Sequence, residues 1–268
     1  MKKILFFTML ALVMCLASCS SSDNGGDSTN ISLSKDSLSV SFLGIDSIKV
    51  NGIDASKCNV KIENVYFANQ VGNNTGNGYI KFMGCHVGTT KAVISYNGLS
   101  KECVINVTPL VSMVGSPILD FGTDSTSLKN EETHIHTESF TDNNIHYIDY
   151  EDMTTKSGGL SVYYDYAIFH RYYFSGNKLT SVLTYLDTES YMNDEGFLNK
   201  ILSDLVQKYT YIGIYNGKNQ KIHIYKSGSG YCVGMRYAYG NGGWYIYYAQ
   251  TMQEVTDELD VNSSFSLY

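Results

Sequence analysis

The pattern of apolar and polar positions divides the chain into stretches of different character. Ile4 to Leu16 is almost wholly apolar and follows Lys2 and Lys3. From residue 31 to 108, short alternating runs succeed one another: Ile31 and Leu33, Leu38 and Val40, Ile48 and Val50, Val60 and Ile62. Period-two alternation predicts half-buried strands. The last two runs, Ala92-Ile94-Tyr96 and Cys103-Ile105-Val107, flank Asn97-Gly98. That dipeptide is a strong hairpin signal, because both turn residues of the favoured turn need positive φ. Many short strands with frequent turns predict an all-β sandwich over residues 31–108.

Beyond residue 117 the period changes. Phe197, Leu198, Ile201, Leu202, Leu205 and Val206 recur at helical spacing behind Asn193-Asp194-Glu195, so Asn193 is the expected cap and the two acids favour the helix's positive end. A weaker helix is expected from Asp124 to Glu132, with Leu128 its one large apolar residue. Hairpins are expected around Asn143-Asn144, Gly176-Asn177, Asn216-Gly217, Ser227 to Gly230 and Gly240 to Gly243. The order helix, strands, helix, strands predicts an α+β domain over 118–268, an antiparallel sheet with helices on one face. Pro109 and Pro117, the two prolines of the chain, bracket the connection between these halves, 109–117. No repeat of 20 to 50 residues is visible, which excludes the common solenoids and propellers.

The opening run is too short for a spanning helix, which needs about 20 apolar residues, and it passes straight into Ser, Asp, Asn and Gly. It has the form of a secretory signal, residues 1–18. Leu16-Ala17-Ser18-Cys19 resembles the lipobox of bacterial lipoproteins. The resemblance implies cleavage before Cys19, acylation of that cysteine, and a partner in the membrane itself. Residues 19–30 then form a flexible Ser/Gly/Asp tether. Asp23 and Asp27 resemble the acidic export signal of Bacteroidetes lipoproteins, and Ser20 fits the family's sorting rule. Both imply the outer membrane, lipid-anchored, with the cell surface as the expected face and the periplasmic leaflet as the alternative.

Residues Ile31 to Val40, Val87 to Tyr96 and Cys103 to Val107 resemble the opening, the V-G-T-T-x-A-x-I-S-Y segment and the last strand of bacterial Ig-like group 2 domains. The resemblance implies an Ig-like sandwich of the kind used as spacers or adhesive modules. It departs in the third strand, where the family has Trp-x-Ser and this chain has Val60-Lys61-Ile62-Glu63-Asn64. In the second half, Pro117 to Thr123 and Tyr173 to Leu179 resemble segments of uncharacterised Bacteroidetes lipoproteins. They also resemble the helix-then-sheet repeats of BamE-type lipoproteins and the β-lactamase inhibitory protein. That likeness implies protein or glycan contact, not chemistry.

Composition sharpens this division. Of 23 tyrosines, 20 follow residue 110, so tyrosine marks the second domain before it marks any function. The net charge is −7, and loss of Lys2 and Lys3 with the signal takes it to −9. An acidic body argues against nucleic acid and against binding anionic lipid through its surface, leaving the acyl chains as the anchor. After maturation Cys58, Cys85, Cys103 and Cys232 remain beside Cys19. A bridge from Cys58 to Cys85 or Cys103 is one expectation in an oxidising compartment, and four unpaired thiols the other.

Signals for chemistry are thin. His134 and His136 alternate on a strand, and a hairpin at Asn143-Asn144 would place Asp149 and Glu151 opposite them on one face. No third histidine is placed by spacing and H-E-x-x-H is absent, so neither metal nor cofactor is expected. Asp149, Glu151 and Asp152 are too close in sequence for the cleft of a glycosidase, and nucleophile elbows, P-loops and dinucleotide fingerprints are missing. No enzyme is expected. Tyr237, Tyr239, Trp244, Tyr245 and Tyr247 lie around Gly240-Asn241-Gly242-Gly243. They form either an exposed aromatic face for a sugar or protein, or rings packed on both sides of a covered sheet. Ser28, Ser37, Ser47 and Ser125 each follow an aspartate, resembling the O-glycosylation acceptor of Bacteroidetes. Together these features predict an acyl-anchored envelope lipoprotein whose spacer presents a binding domain to a protein or glycan. A surface glycan-binding protein of a polysaccharide-utilisation system is the alternative.

Overall fold

The computed structural model describes residues 30–261, apart from 73–77, 143–144, 159–162, 189–193, 219 and 239–241. The expected signal peptide and nearly all of the tether, with Cys19 and Ser28, lie outside that range. The described chain is mostly β, in three sheets whose named strands pair antiparallel with one exception.

The first half supplies β1 (Ser32–Leu33), β2 (Ser37–Ser41), β3 (Ile45–Asn51), β4 (Asn59–Ile62), β5 (Ala68–Gln70), β6 (Tyr79–Gly84), β7 (Gly88–Tyr96) and β8 (Leu99–Thr108). One sheet runs β1-β3-β6-β5 and the other β2-β8-β7-β4, with β2 parallel to β8. Alternation decides which side faces inward. Leu38, Val40, Ile48, Val50, Ile80, Phe82, Ile94, Ile105 and Val107 from the two sheets meet in one core. Removing such side chains from water stabilises by about 1.5–3 kcal/mol each. Asn97 and Gly98 take φ of 46° and 81° and close the β7–β8 hairpin. Cys103 is buried in this core, and all four described cysteines are free thiols. Cys58 is not bridged to Cys85 or Cys103; its Sγ lies 3.9 Å from the Asp54 carbonyl, and Cys85 Sγ lies 3.7 Å from that of Met83.

The second half contains α1 (Ser125–Glu131), then β9 (Ile135–Asp142), β10 (Ile145–Gly158), β11 (Tyr163–Ser175) and β12 (Lys178–Asp187). There follow α2 (Glu195–Lys208), β13 (Thr210–Asn216), β14 (Lys221–Lys226), β15 (Cys232–Ala238), β16 (Gly243–Ala249) and α3 (Met252–Val261). Asp124 caps α1 by accepting from Thr126 N and Ser127 N. Asp194 caps α2, in place of the expected Asn193, which lies outside the described residues. No described helix is long and apolar enough to cross a membrane.

The strands form one eight-stranded antiparallel sheet in the order β13-β14-β15-β16-β12-β11-β10-β9. A helix followed by a four-stranded meander thus occurs twice, and the last strand of each meander pairs at the centre, Tyr185 opposite Tyr245. This duplication escapes a search for short repeats because each copy is longer than 50 residues. The expectation of helices on one face is corrected. Leu128 of α1 and Phe197, Ile201 and Leu205 of α2 pack on one side. Val255 and Leu259 of α3 pack on the other, against Ile222, Ile224 and Tyr247. Glycine at 234 permits that approach, since a Cβ there would lie 2.3 Å from Val255 Cγ1.

With both faces covered, β16 is buried along its whole length. Trp244 belongs to the core beneath α1 and α2, while Tyr245 and Tyr247 belong to the core beneath α3. Tyr237 is half-buried with its ring 5.1 Å from Trp244, and Tyr239 lies outside the described residues. Of the two alternatives for the aromatics around Gly240 to Gly243, the described residues show the covered sheet, because their strands occupy the sheet centre. Tyrosine here is chiefly a core residue. A buried hydroxyl needs a partner, and neighbouring backbone and side chains supply some: Tyr166 Oη donates to Met113 O at 2.9 Å and Tyr247 Oη to Ser181 Oγ at 2.6 Å.

The stretch 109–117 is a packed strap, not a free linker. Met113 and Val114 are buried, and their N–H groups donate to Asp204 Oδ2 of α2 at 2.8 and 2.7 Å. Gln207 accepts from Leu110 N and donates to Val111 O. The last carbonyls of α2 have no partners within their own helix. The first half supplies them: Val87 N donates to Gln207 O at 2.7 Å and Tyr66 Oη to Lys208 O at 3.1 Å. His86 stacks on the Tyr66 ring at 3.9 Å. Tyr66→Ala is expected to lower hydrogen-exchange protection of the Val87 amide by about tenfold, the equivalent of about 1.4 kcal/mol. Unchanged protection would mean that this joint does not hold the halves together.

Candidate functional site

Three strands and the end of α1 bring one polar cluster together on the sheet face covered by α1 and α2. β9 pairs with β10 in a register that shifts between Asp149 and Tyr150. The shift changes which residues share a face. Tyr150 stands opposite His136, and Asp149 points the other way to hold Arg171 through two bonds of 2.7 and 2.5 Å. His134 therefore meets Asp152, not Asp149 or Glu151: His134 Nε2 lies 2.8 Å from Asp152 Oδ1. His136 turns to Ser139 Oγ at 2.7 Å. Asp149 and Asp152 face opposite sides of the sheet, so these two of the carboxylates considered for glycoside hydrolysis do not flank one cleft.

The third histidine that local spacing did not place comes from β11. His170, fully buried, sets Nε2 3.3 Å from Asp152 Oδ2. The two imidazoles present the same nitrogen to one carboxylate, and each has an oxygen behind it, although only that of His170 makes a hydrogen bond. His134 Nδ1 lies 2.6 Å from Glu132 Oε1, and His170 Nδ1 lies 2.9 Å from Thr184 Oγ1. Glu132, at the C-terminal cap of α1, also accepts from Thr133 N and from the Tyr172 hydroxyl. Burial, reinforced by that bond, pushes the Tyr172 hydroxyl well up, which keeps it a donor. Gly115 of the strap roofs the cluster, for a Cβ there would sit 2.3 Å from Asp152 Oδ2 and 2.8 Å from His170 Nε2. The three facing atoms of His134, Asp152 and His170 lie within 4.8 Å of one another, a set of nitrogen and oxygen donors able to hold a cation.

A second feature lies on the opposite face, beside α3. A groove of about 310 Å³ is lined by Tyr147, Tyr173, Tyr247, Ser181, Glu254 and Glu258, among others. Tyr147 and Tyr173 meet edge to face at 5.1 Å, and Tyr173 and Tyr247 at 6.0 Å. Burial first, and then the negative charge of Glu258, raise the hydroxyls of Tyr173 and Tyr247. The Tyr173 hydroxyl is buried without a hydrogen-bond partner. Of the aromatics expected from sequence to meet a ligand, Tyr247 lines this groove. Tyr147 and Tyr173 come from strands whose alternation marked them only as part of a hairpin.

At one edge of the large sheet, β13 exposes Tyr211, Ile212, Ile214 and Tyr215. The described glycosylation candidates differ in setting. Ser37 is exposed, Ser47 is half-buried, and Ser125 in α1 donates its hydroxyl to Asn177 Oδ1 at 2.7 Å.

No protein-family model matches the chain, and no curated protein matches it by sequence. Among solved structures, it is similar to the S-layer protein rSbsC(31-844) at 13% identity and a TM-score of 0.27, covering 57% of this chain and 23% of that one. It is also similar to domains 5–6 of the S-layer protein SbsC at 12% identity and a TM-score of 0.26, covering 60% of this chain and 91% of that one. The chain thus corresponds to about a quarter of the length of the first of these.

Proposed function

We propose that the protein is an acyl-anchored, non-catalytic lipoprotein of the cell envelope. Cys19 anchors it to the outer membrane, an Ig-like first domain lifts it from the bilayer, and an α+β second domain binds a ligand. The Ig-like reading is supported by two four-stranded sheets around one core. Packing of the strap on α2 favours a stiff support over a loose spacer.

The groove beside α3 carries the binding reading. Tyrosine rings offer flat apolar surface, while Ser181 and the two glutamates offer hydrogen-bond acceptors, a combination suited to the faces and hydroxyls of a glycan. Trp244 belongs to the core on the opposite face, so its fluorescence is a poor reporter of this groove. Affinity electrophoresis through gels containing single polysaccharides reads binding directly. One polysaccharide is expected to retard the wild type, with Tyr147→Ala weakening that retardation about tenfold. Equal retardation of both proteins, or none across a broad panel, would refute the glycan reading.

The exposed β13 edge favours a second reading, a protein partner that adds a strand to the sheet. A photocrosslinker at Ile212 would then join the protein to one envelope component in cells. A crosslinker at the covered position Ile246 would give no such product.

A further inference from the structure

We propose that His134, Asp152 and His170 bind a divalent transition-metal ion of the zinc type, with Glu132 and Thr184 positioning the two imidazoles. The donor geometry points to a cation between these side chains. Behind the rings, Glu132 Oε1 lies 2.6 Å from His134 Nδ1, close but without hydrogen-bond alignment, and Thr184 Oγ1 lies 2.9 Å from His170 Nδ1; each Nε2 faces Asp152 at 2.8 or 3.3 Å. The Thr184 hydroxyl can accept from a protonated His170 Nδ1, which leaves the Nε2 lone pair of that buried ring available to a cation. The charge of one divalent cation is balanced by the nearby carboxylates of Asp152 and Glu132.

The distances suit such an ion. Tetrahedral zinc with bonds of about 2.0–2.1 Å holds its ligand atoms about 3.3 Å apart. The Asp152–His170 separation already has that value. The three donor atoms all lie within 4.8 Å of one another, and the shorter His134–Asp152 contact of 2.8 Å must lengthen to admit the ion, which the 20% exposed side chain of His134 allows. A carboxylate behind one ligating imidazole and a hydroxyl behind the other are the outer-shell partners that fix tautomer and ring orientation in metal sites. The cluster joins the segment between α1 and β9 to β10 and β11 beneath Gly115, so a bound ion would cross-link the strap's floor. The exposed side of His134 and Asp152 leaves a fourth position for water.

Calorimetric titration of the full-length, chelator-stripped protein in detergent with zinc chloride tests the site. One ion per chain is expected to bind, with a rise in melting temperature. His134→Gln should weaken binding at least a hundredfold, and Glu132→Gln by about 10–100-fold. Gly115→Ala, which keeps every ligand but drives a methyl into Asp152, should also weaken it, while His136→Gln should bind like wild type. No saturable heat and no thermal shift in the wild type would overturn the proposal, as would equal affinity of His134→Gln and His136→Gln. Should a variant fail to fold, nitrogen NMR of the wild-type histidines decides. Zinc-induced shifts at Nε2 of His134 and His170 support the site, and shifts confined to other histidines refute it.

Discussion

Asp204→Ala is expected to destabilise the protein by about 3–5 kcal/mol, the cost of removing one member of a buried charged pair. Asp204 has no exposed surface on α2, yet it accepts from the N–H groups of Met113 and Val114 and faces Lys208 Nζ at 3.1 Å. The strap has no strand to pair with, so this one carboxylate satisfies two buried backbone donors that would otherwise lack partners. Alanine leaves both unpaired and strips Lys208 of its counter-charge. Lys208 also donates to Gly115 O at 3.4 Å, so the loss reaches the roof of the histidine cluster. Asp204→Asn keeps an acceptor but no charge, and about 1–2 kcal/mol is expected. Urea unfolding of the full-length chain measures both. A loss below about 1 kcal/mol for Asp204→Ala would mean that the strap is not held by α2.

The elements with a clear period were legible in the sequence. The Asn97-Gly98 hairpin, the α2 stripe of Phe197, Ile201 and Leu205, and the short α1 around Leu128 follow from local rules that tertiary packing did not override. α3 was missed, although Thr251 and Glu254 carry the capping-box spacing. In the structure Thr251 N donates to Glu254 Oε2 at 2.9 Å, and Glu254 N to Thr251 Oγ1 at 3.2 Å. Its apolar face is only Val255 and Leu259, too narrow to stand out. Nothing in the sequence singles out Asp204 or Gln207, because it does not reveal that a strap with unpaired backbone groups will lie across α2.

The candidate sites were less legible, for a reason of register. Strict alternation aligned His134 and His136 with Asp149 and Glu151, and the irregularity beside Asp149 exchanged them for Tyr150 and Asp152. His170 stands 36 residues from His134 and joins it only because β11 lies beside β10. Such a constellation belongs to the sheet, not to a motif. The tyrosine count marked the second domain but left open whether the rings around Trp244 were exposed or covered. The order of strands decides it, with β16 at the centre and rings such as Tyr225 and Tyr248 filling the space between sheet and helices.

The second large effect concerns the anchor. Each acyl methylene buried in a bilayer contributes about 0.8 kcal/mol, so in the proposed lipoprotein the acyl chains on Cys19 would dominate the membrane affinity of a body that carries −9 once residues 1–18 are removed. Cys19→Ser removes the residue proposed for acylation and lies outside the described domains. Phase separation in a cloud-point detergent, applied to both proteins expressed in a diderm bacterium, measures this directly. The account predicts wild type in the detergent phase and Cys19→Ser in the aqueous phase. Wild-type protein in the aqueous phase, or both proteins in the detergent phase, would contradict an envelope lipoprotein anchored at Cys19.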